Sequence, residues 1–300
     1  MLRIVKLLLD AWQALNQSGT GTYVQQLLQR LPQSGFVSVG TALGRPGLTA
    51  PKWHLAELPV APRISSIYQP HLRFGRLIDR FEPDGVHFPA NFGTLLPARS
   101  KLRPAIVATV HDVTFFRCPS WFPRHRAVFY QIMARQTAKQ ADIVITDSES
   151  SAADIETFLR VPPERLAVVP LGTDGESEPT PAAVSEVKSR YHLPDEYCLY
   201  LGTIEPRKNI PALIRSWDSI AADSACDLVI AGREGWKTRT FRDALQRATH
   251  RDRIHVLGFV PEADRVPLMA GAAVFVWPSL YEVFGLPPLV AMALATPVLT

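Results

Sequence analysis

The chain has 300 residues, of which 47% are hydrophobic and 20% are charged, and its formal net charge is +4. This composition is that of a globular protein with room for two cores, and the scattered prolines exclude a low-complexity chain. The positive charge is mild and forms no dense stripe of Lys and Arg, so acidic small ligands fit the chain and we expect no nucleic-acid partner.

The cysteines and the first residues bear on the compartment. Cys118, Cys198 and Cys226 are dispersed and odd in number, which fits neither a disulfide framework nor a zinc site. We therefore expect a reducing, cytoplasmic environment. The first ten residues form a short apolar run interrupted by Lys6, which predicts a buried strand and not a secretory signal. The chain has no run of about 20 apolar residues, so we predict no membrane-spanning helix.

Short apolar runs alternate with helical patterns in the first half of the chain, which predicts βαβ units and a parallel sheet. The predicted strands are 3–9, 36–42, 84–88, 105–110, 142–146 and 166–170. The predicted helices are 20–31, 67–80, 124–140 and 149–159. Either Ser148 or Ser150 can cap the last of these helices.

A polar stretch at 172–181, rich in proline, glycine and acids, has the composition of a linker. The alternation then restarts, with a predicted helix at 182–191 and predicted strands at 197–202, 227–231, 253–257 and 273–277. We predict an N-terminal domain over 1–174, a linker and helix over 175–195, and a C-terminal domain over 196–300. Because the final residues resemble the start of a buried strand, we expect the second domain to be incomplete.

Two stretches of the first half follow predicted strands and can carry chemistry. Residues 18–23, which include Gly21, open a helix whose backbone amides favour an anion, although Val24 rules out the dinucleotide fingerprint. A flexible turn is the alternative. His111 lies at the carboxyl end of strand 105–110, where open α/β sheets bind ligands, and it can donate to a sugar hydroxyl or transfer a proton. A histidine that only caps the strand is the alternative.

Two further stretches lie in the second half. Arg207 and Lys208 stand side by side between a strand and a helix, where a planar fork, a point charge and a helix dipole can clamp a diphosphate. A solvated charged loop is the alternative. In the stretch 281–288, Glu282 can accept hydroxyl hydrogens, and Gly285 allows a ligand to approach the backbone closely. The amides of Phe284, Gly285 and Leu286 can then face a sugar or phosphate.

These stretches occur in an order that resembles the nucleotide-sugar-dependent retaining glycosyltransferases of family 4, the glycosyl transferases group 1. The resemblance rests on Glu-Pro-Arg-Lys-Asn at 205–209, Gly-Phe-Val-Pro at 258–261, and Pro-Ser-Leu-Tyr-Glu-Val-Phe-Gly-Leu-Pro-Pro at 278–288. In the first half, the matching residues are Gly21, Tyr23, His111, Asp112, Ser148 and 172–174. The resemblance implies an α/β GT-B fold, in which two Rossmann-like doubly wound domains face a cleft.

The resemblance also implies roles for single residues. Arg207 and Lys208 would hold the donor diphosphate, Glu282 would contact the donor sugar, and His111 would touch the sugar near the reacting carbon. The remaining donor-binding residues would be Gly21, Gly258, Phe259, Phe284, Gly285 and Leu286. The implied reaction transfers a sugar with retention from a UDP- or GDP-sugar to a glycan or lipid-linked acceptor, without a metal or a cofactor.

One departure from the family pattern concerns donor binding. The family has Glu-x(7)-Glu from Glu282, and its second Glu, which would accept the ribose hydroxyls, falls on Val290. The loss would weaken donor binding about 10- to 150-fold. With the early end of the chain, it favours an alternative in which this is an impaired relative that acts only as a weak binder or partner. A further alternative is another GT-B enzyme, such as a sugar epimerase or a phosphorylase.

The predicted helix 124–140 raises the question of a membrane surface. It carries Arg124, Arg126 and Arg135 beside apolar residues. Such a face can lie against anionic lipid on the cytoplasmic side of a membrane, near a lipid-linked acceptor. A core helix with one solvated side is the alternative.

Overall fold

The structure is a computed structural model that describes residues 5–16, 19–34, 37–44, 47–57, 77–92, 103–173 and 178–300. The chain divides into two compact units. The first unit consists of Met1–Arg117 and His125–Pro170, and the second of Cys118–Arg124 and Leu171–Thr300. Cys118–Arg124 groups with the second unit because the indole Nε1 of Trp236 donates to the carbonyl oxygen of Trp121 at 2.8 Å.

The first unit is a seven-stranded parallel sheet in the order β3-β2-β1-β4-β5-β6-β7. Its strands are β1 Val5–Asp10, β2 Val37–Gly44, β3 His54–Glu57, β4 Gly85–Phe88, β5 Ala105–Thr109, β6 Ile143–Thr146 and β7 Leu166–Val168. Its helices are α1 Gly19–Arg30, α2 with the described residues 77–81, α3 Thr114–Arg117, α4 Arg124–Gln140 and α5 Glu149–Leu159. The strand order reverses between β1 and β4.

The second unit is a five-stranded parallel sheet in the order β10-β9-β8-β11-β12. Its strands are β8 Tyr197–Leu201, β9 Asp227–Ala231, β10 Ile254–Gly258, β11 Val274–Val276 and β12 Val298–Leu299. Its helices are α6 Pro181–Arg190, α7 Ile210–Asp218, α8 Arg239–Arg247, α9 Glu262–Ala270 and α10 Leu286–Ala293. Here the order reverses between β8 and β11.

Both cores are built on the central strands. Leu8, Val86 and Ala108 of the first unit are fully buried, as are Leu199 and Val229 of the second. A parallel strand that is covered on both faces needs apolar residues at successive positions, which is why these runs are nearly continuous in the sequence. The two predicted doubly wound α/β domains are therefore confirmed.

The described elements match most predicted ones within two or three residues. Ser148, not Ser150, caps α5, since its hydroxyl oxygen accepts the amide of Ser151 at 3.2 Å. The sequence did not predict β3, which is only four residues long at the edge of its sheet. Of the predicted helix 67–80, residues 67–76 lie outside the described part. None of the helices in the described ranges has both the length and the apolar composition needed to cross a bilayer.

Candidate functional site

The second unit brings two distant stretches together at the reversal of its strand order. Because β8 and β11 are neighbours in the sheet, the loops that leave their carboxyl ends emerge side by side. Arg207 and Lys208 lie in a single helical turn, Pro206–Lys208, after β8. Glu282 lies in the loop after β11, and the amide of Leu280 in that loop donates to the carbonyl oxygen of Arg207 at 2.9 Å. The two predicted halves of the site are thus in contact.

Four charged side chains form what we call the cation cluster: Glu205, Arg207, Lys208 and Glu282. Lys208 Nζ donates to Glu282 Oε1 at 2.5 Å, and Arg207 Nη1 donates to Glu282 Oε2 at 3.2 Å. Arg207 also donates through Nε to Glu205 Oε1 at 3.1 Å. Sequence reasoning assigned Glu282 to a sugar and gave Glu205 no role. In the folded chain both carboxylates neutralise the cations.

Aromatic rings underlie the cation cluster, and the sequence did not point to them. Lys208 Nζ lies 4.0 Å from the centre of the Trp277 ring, and Trp277 stacks on Tyr200 with ring centres 5.4 Å apart. Burial and the nearby Arg207 guanidinium lower the pKa of Lys208 from 10.5 to about 8, although Glu282 acts in the opposite direction. Trp277 directly follows β11, and this position at a strand end is the signal by which the sequence could have identified it.

The start of α10 supplies backbone donors beside Glu282. Gly285 caps this helix with φ +85°, a left-handed conformation that favours glycine. Pro287 and Pro288 carry no N–H, so the donors before the first full turn are the amides of Phe284, Gly285 and Leu286. Over residues 178–300 and the other described ranges, these three amides have no hydrogen-bond acceptor. They are positioned to donate to an anion or to a hydroxyl oxygen.

Val290 lies on the same helix, α10, and is partly buried against the core of the second unit. An apolar side chain is therefore satisfied there by packing. No hydroxyl acceptor occupies the position that the Glu-x(7)-Glu pattern reserves for one. The predicted loss of a ribose contact stays a prediction.

Gly258 and Phe259 follow β10, two strands away from β8 at the same edge of the sheet. Gly258 has φ +69°, and its carbonyl oxygen accepts the amide of Gly232 at 2.6 Å. Gly232 must be glycine, because a Cβ there would lie 1.9 Å from the carbonyl oxygen of Gly202. Phe259 is 42% exposed. These backbones pack closely at the carboxyl ends of β8, β9 and β10, while Phe259 is exposed to solvent.

The first unit gathers a second group of residues around His111, which we call the histidine cluster: Tyr23, Asn91, His111 and Asp147. His111 Nδ1 donates to Asp147 Oδ2 at 2.7 Å, and Nε2 lies 3.3 Å from the carbonyl oxygen of Pro89. Asn91 Oδ1 accepts the backbone amide of His111 at 2.7 Å. Tyr23 meets the imidazole edge-on, with ring centres 4.9 Å apart.

Sequence reasoning found His111 and Tyr23 but missed Asn91 and Asp147. Asn91 follows β4 and Asp147 follows β6, and both strands flank β5, from which His111 emerges. The strand-end rule that selected His111 applies equally to them. It could not rank them without the order of the strands.

Further polar contacts lie beneath the histidine cluster. The hydroxyl of Thr109 lies 3.2 Å from that of Tyr23 and 2.9 Å from His87 Nε2. Burial, together with the nearby His111, lowers the pKa of His87 to about 4, so His87 is neutral at physiological pH. A neutral His87 adds no charge beneath His111.

Gly21 is buried in the first turns of α1. A Cβ at this position would lie 1.9 Å from the carbonyl oxygen of Asn16. The absence of a side chain therefore lets α1 pack against the preceding loop. This is a packing reason for glycine, and the predicted place of Gly21 near phosphates stays a prediction.

Comparison with solved structures agrees with this architecture. Sucrose-phosphate synthase from Thermosynechococcus elongatus aligns with a TM-score of 0.76 at 18% identity, over 99% of this chain and 80% of that one. HepE of Anabaena, in complex with UDP and glucose, aligns with a TM-score of 0.71 at 15% identity, over 98% and 80%. At such low identity the likeness shows the fold, and the predicted GT-B fold is confirmed.

Comparison of sequences is more specific. O-antigen chain mannosyltransferase B of Escherichia coli is 33% identical over 196 residues, which are 64% of this chain and 51% of that protein. The chain thus spans about half the length of this relative. Residues 185–300 match the family described as glycosyl transferases group 1. Residues 17–177, more than half of the chain, match Glycosyltransferase Family 4. The chain therefore belongs to Glycosyltransferase Family 4.

Proposed function

We propose that this chain binds a nucleoside-diphosphate sugar and transfers the sugar, with mannose as the leading candidate, to a glycan or lipid-linked acceptor. The observation that carries the proposal is the cation cluster at the strand reversal of the second unit. The name of the Escherichia coli relative, an O-antigen chain mannosyltransferase, supports both mannose and a polysaccharide acceptor.

The cation cluster has the chemistry that a diphosphate requires. Arg207 and Lys208 have side-chain exposures of 19% and 8%, so their attraction for an anion is only weakly screened by water. Glu205 and Glu282 hold both cations in place. A diphosphate takes over the contacts to Glu282, whose carboxylate then becomes free to accept sugar hydroxyls. The same two cations stabilise the charge that develops on the leaving diphosphate.

The remaining donor contacts follow from the neighbouring backbone. We assign the amides of Phe284, Gly285 and Leu286 to the sugar hydroxyls or the distal phosphate. Gly258 and Phe259 border the nucleotide, and Gly21 lies near the phosphates. His111 contacts the sugar near its reacting carbon. Since two protein cations and a helix start supply the positive charge, the proposed reaction uses no metal ion.

We further propose that the sugar is transferred with retention of its anomeric configuration. The leaving diphosphate departs and the acceptor hydroxyl attacks on the same face of the sugar, and the phosphate oxygen takes the acceptor proton. This step needs the positive charge of the cation cluster on the leaving group, and no carboxylate nucleophile.

A second candidate is a chain that binds the donor weakly and transfers nothing. Val290 is the observation that favours it, since the ribose would lack a charged acceptor at this position. Transfer and weak binding differ in whether free nucleoside diphosphate is released in the presence of an acceptor.

Calorimetric titration with UDP and with GDP tests the donor site. Arg207→Met combined with Lys208→Met should weaken binding at least about 100-fold, because both charge-assisted contacts are lost. Arg239→Met combined with Arg247→Met is the matched control, since it also removes two positive charges, but from exposed positions on α8. Equal affinity in both double variants would refute a diphosphate site at the cation cluster. Release of UDP or GDP from a donor sugar, measured with and without a mannose-terminated acceptor, then tests transfer.

The proposed acceptor raises the question of a peripheral membrane contact, for which α4 is the candidate. Val128 and Ile132 are 48% and 53% exposed, and Arg124, Arg135 and Lys139 are exposed on the same helix. Co-sedimentation with vesicles that contain phosphatidylglycerol tests this contact. Val128→Ser with Ile132→Ser should reduce the bound fraction several-fold, and equal binding of this variant and the unchanged chain would count against α4 as the contact.

A further inference from the structure

The carboxylate of Asp147 is buried and engages His111. Its residue is 3% exposed, and Oδ2 accepts Nδ1–H of His111 at 2.7 Å. Oδ1 is buried and has no hydrogen-bond partner among the described residues. Within the same part of the chain, His111 is thus the only hydrogen-bond partner of this side chain. Burying a carboxylate with a single hydrogen-bond partner is costly, so the stability of the fold does not by itself explain this residue.

Asp147 does not cap the adjacent helix α5, because its neighbour Ser148 does so. Asp147 precedes α5, where a carboxylate would ordinarily cap the helix. Ser148 is the cap instead, and its hydroxyl accepts the amide of Ser151. The side chain of Asp147 turns towards His111, which lies 36 residues earlier in the chain.

The other contacts of His111 leave one ring atom for a substrate. Asn91 holds its backbone amide, and Tyr23 covers the ring edge-on. With Nδ1 engaged by Asp147, only Nε2 remains. Its contact with the carbonyl oxygen of Pro89 is 3.3 Å long, against 2.7 Å at Nδ1. With the ring proton on Nδ1, Nε2 and this carbonyl oxygen are both acceptors and form no hydrogen bond, so the lone pair of Nε2 stays open to a substrate hydroxyl.

We propose that Asp147 is a positioning residue for the sugar transfer: it keeps the proton of His111 on Nδ1 and the ring in one orientation, so that Nε2 meets the substrate. This inference rests on the proposed function. A carboxylate beside a histidine selects the tautomer because it can only accept at the nitrogen that it faces. An amide in its place can donate to that nitrogen instead, which moves the ring proton to Nε2.

The state of His111 can be tested without any assay of transfer. Long-range ¹H–¹⁵N correlation spectra of the eight histidines report which ring nitrogen carries the proton. His111→Gln identifies the His111 signals by their loss. We expect Nδ1 of His111 to be protonated in the unchanged chain, and the proton to move to Nε2 in Asp147→Asn. Asp154→Asn is the matched control, since Asp154 is similarly buried at 6% but pairs with Arg117. It should leave the His111 signals unchanged.

Kinetics then test the purpose of this pairing. Asp147→Asn should lower kcat about 10- to 100-fold while KM changes less than about threefold, because binding depends on the cation cluster. Asp147→Glu retains an acceptor and should recover part of kcat. If the Asn variant does not fold, as judged by its amide spectrum, the Glu variant carries the comparison with Asp154→Asn.

The outcomes separate this inference from the proposed function. A chain that neither binds UDP or GDP nor transfers a sugar refutes the proposed function. A chain that transfers sugar equally well with Asp147→Asn refutes the positioning role alone. Unchanged His111 signals in Asp147→Asn also refute that role, whether or not transfer occurs.

Discussion

Lys208 and Glu282 form a 2.5 Å ion pair between side chains that are 74 residues apart in the sequence. The pair exists because β8 and β11 lie side by side in the sheet, so that the loops after them converge. It brings together the stretches 205–209 and 278–288, which the sequence shows as separate motifs.

Donor binding should depend on pH through Lys208. Its pKa of about 8 means that the free site loses this charge as the pH rises through 8. A diphosphate binds the protonated form, so the affinity for UDP or GDP should be constant below that pH and fall about tenfold per unit above it. Titration calorimetry from pH 6 to 10 measures this. Lys208→Arg should abolish the dependence in this range, because a guanidinium stays charged. An unchanged profile in that variant would assign it to another group.

The same group has an opposite effect on folding. The pKa of Lys208 is lower in the folded chain than its ordinary value of 10.5, so the unfolded chain holds the proton more tightly. Between pH 8 and 10.5 the unfolded state binds more protons, and the contribution of Lys208 to stability therefore increases with pH in that window. Comparison with Lys208→Met by denaturant unfolding isolates this contribution.

Val290→Glu should strengthen nucleotide binding. A carboxylate there restores an acceptor for ribose hydroxyls, and the gain should be about 10- to 150-fold for UDP or GDP. Because Val290 packs partly against the core, the charge should also lower Tm. Val290→Met keeps an apolar side chain and serves as the control. If the Glu and Met variants bind equally, the ribose does not reach α10.

Gly21→Ala should destabilise the first unit. The added Cβ would lie 1.9 Å from the carbonyl oxygen of Asn16, so the helix start or the loop has to move. We expect a loss of more than about 2 kcal/mol in the free energy of unfolding. Gly19→Ala lies in the same helix and has no atom within 4 Å of the added Cβ. It should be neutral or slightly stabilising, and equal losses in both variants would refute the packing role.

Trp277→Leu should weaken donor binding through Lys208. The indole ring supports the ammonium group at 4.0 Å, and such contacts are worth about 0.5–2 kcal/mol, or about 2- to 30-fold in affinity. Trp217→Leu is the control, since Trp217 is equally buried, at 4% against 5%. Both variants should lose stability. Only Trp277→Leu should bind UDP or GDP less tightly, and a matching loss in the control would point to general unfolding.

The sequence by itself determined the architecture of both units. A parallel strand with helices on both faces must be apolar at successive positions, so strands such as β5 and β9 stand out as short apolar runs. The strand that escaped notice lacks this property. β3 has four residues at the edge of its sheet, where burial imposes little pattern. Motif order along the chain also sufficed to identify the family.

Tertiary structure alone decided which side chains meet. The order of strands in a sheet is not written in the pattern of any strand, yet it places Glu282 on Lys208 and Asp147 on His111. It also decided that Glu282 pairs with both Arg207 and Lys208. Contacts between loops depend on which strands are neighbours, and that choice is made by the packing of whole layers. The sequence shows which residues can bind or transfer a proton, and the fold determines that Lys208 pairs with Glu282 and His111 with Asp147.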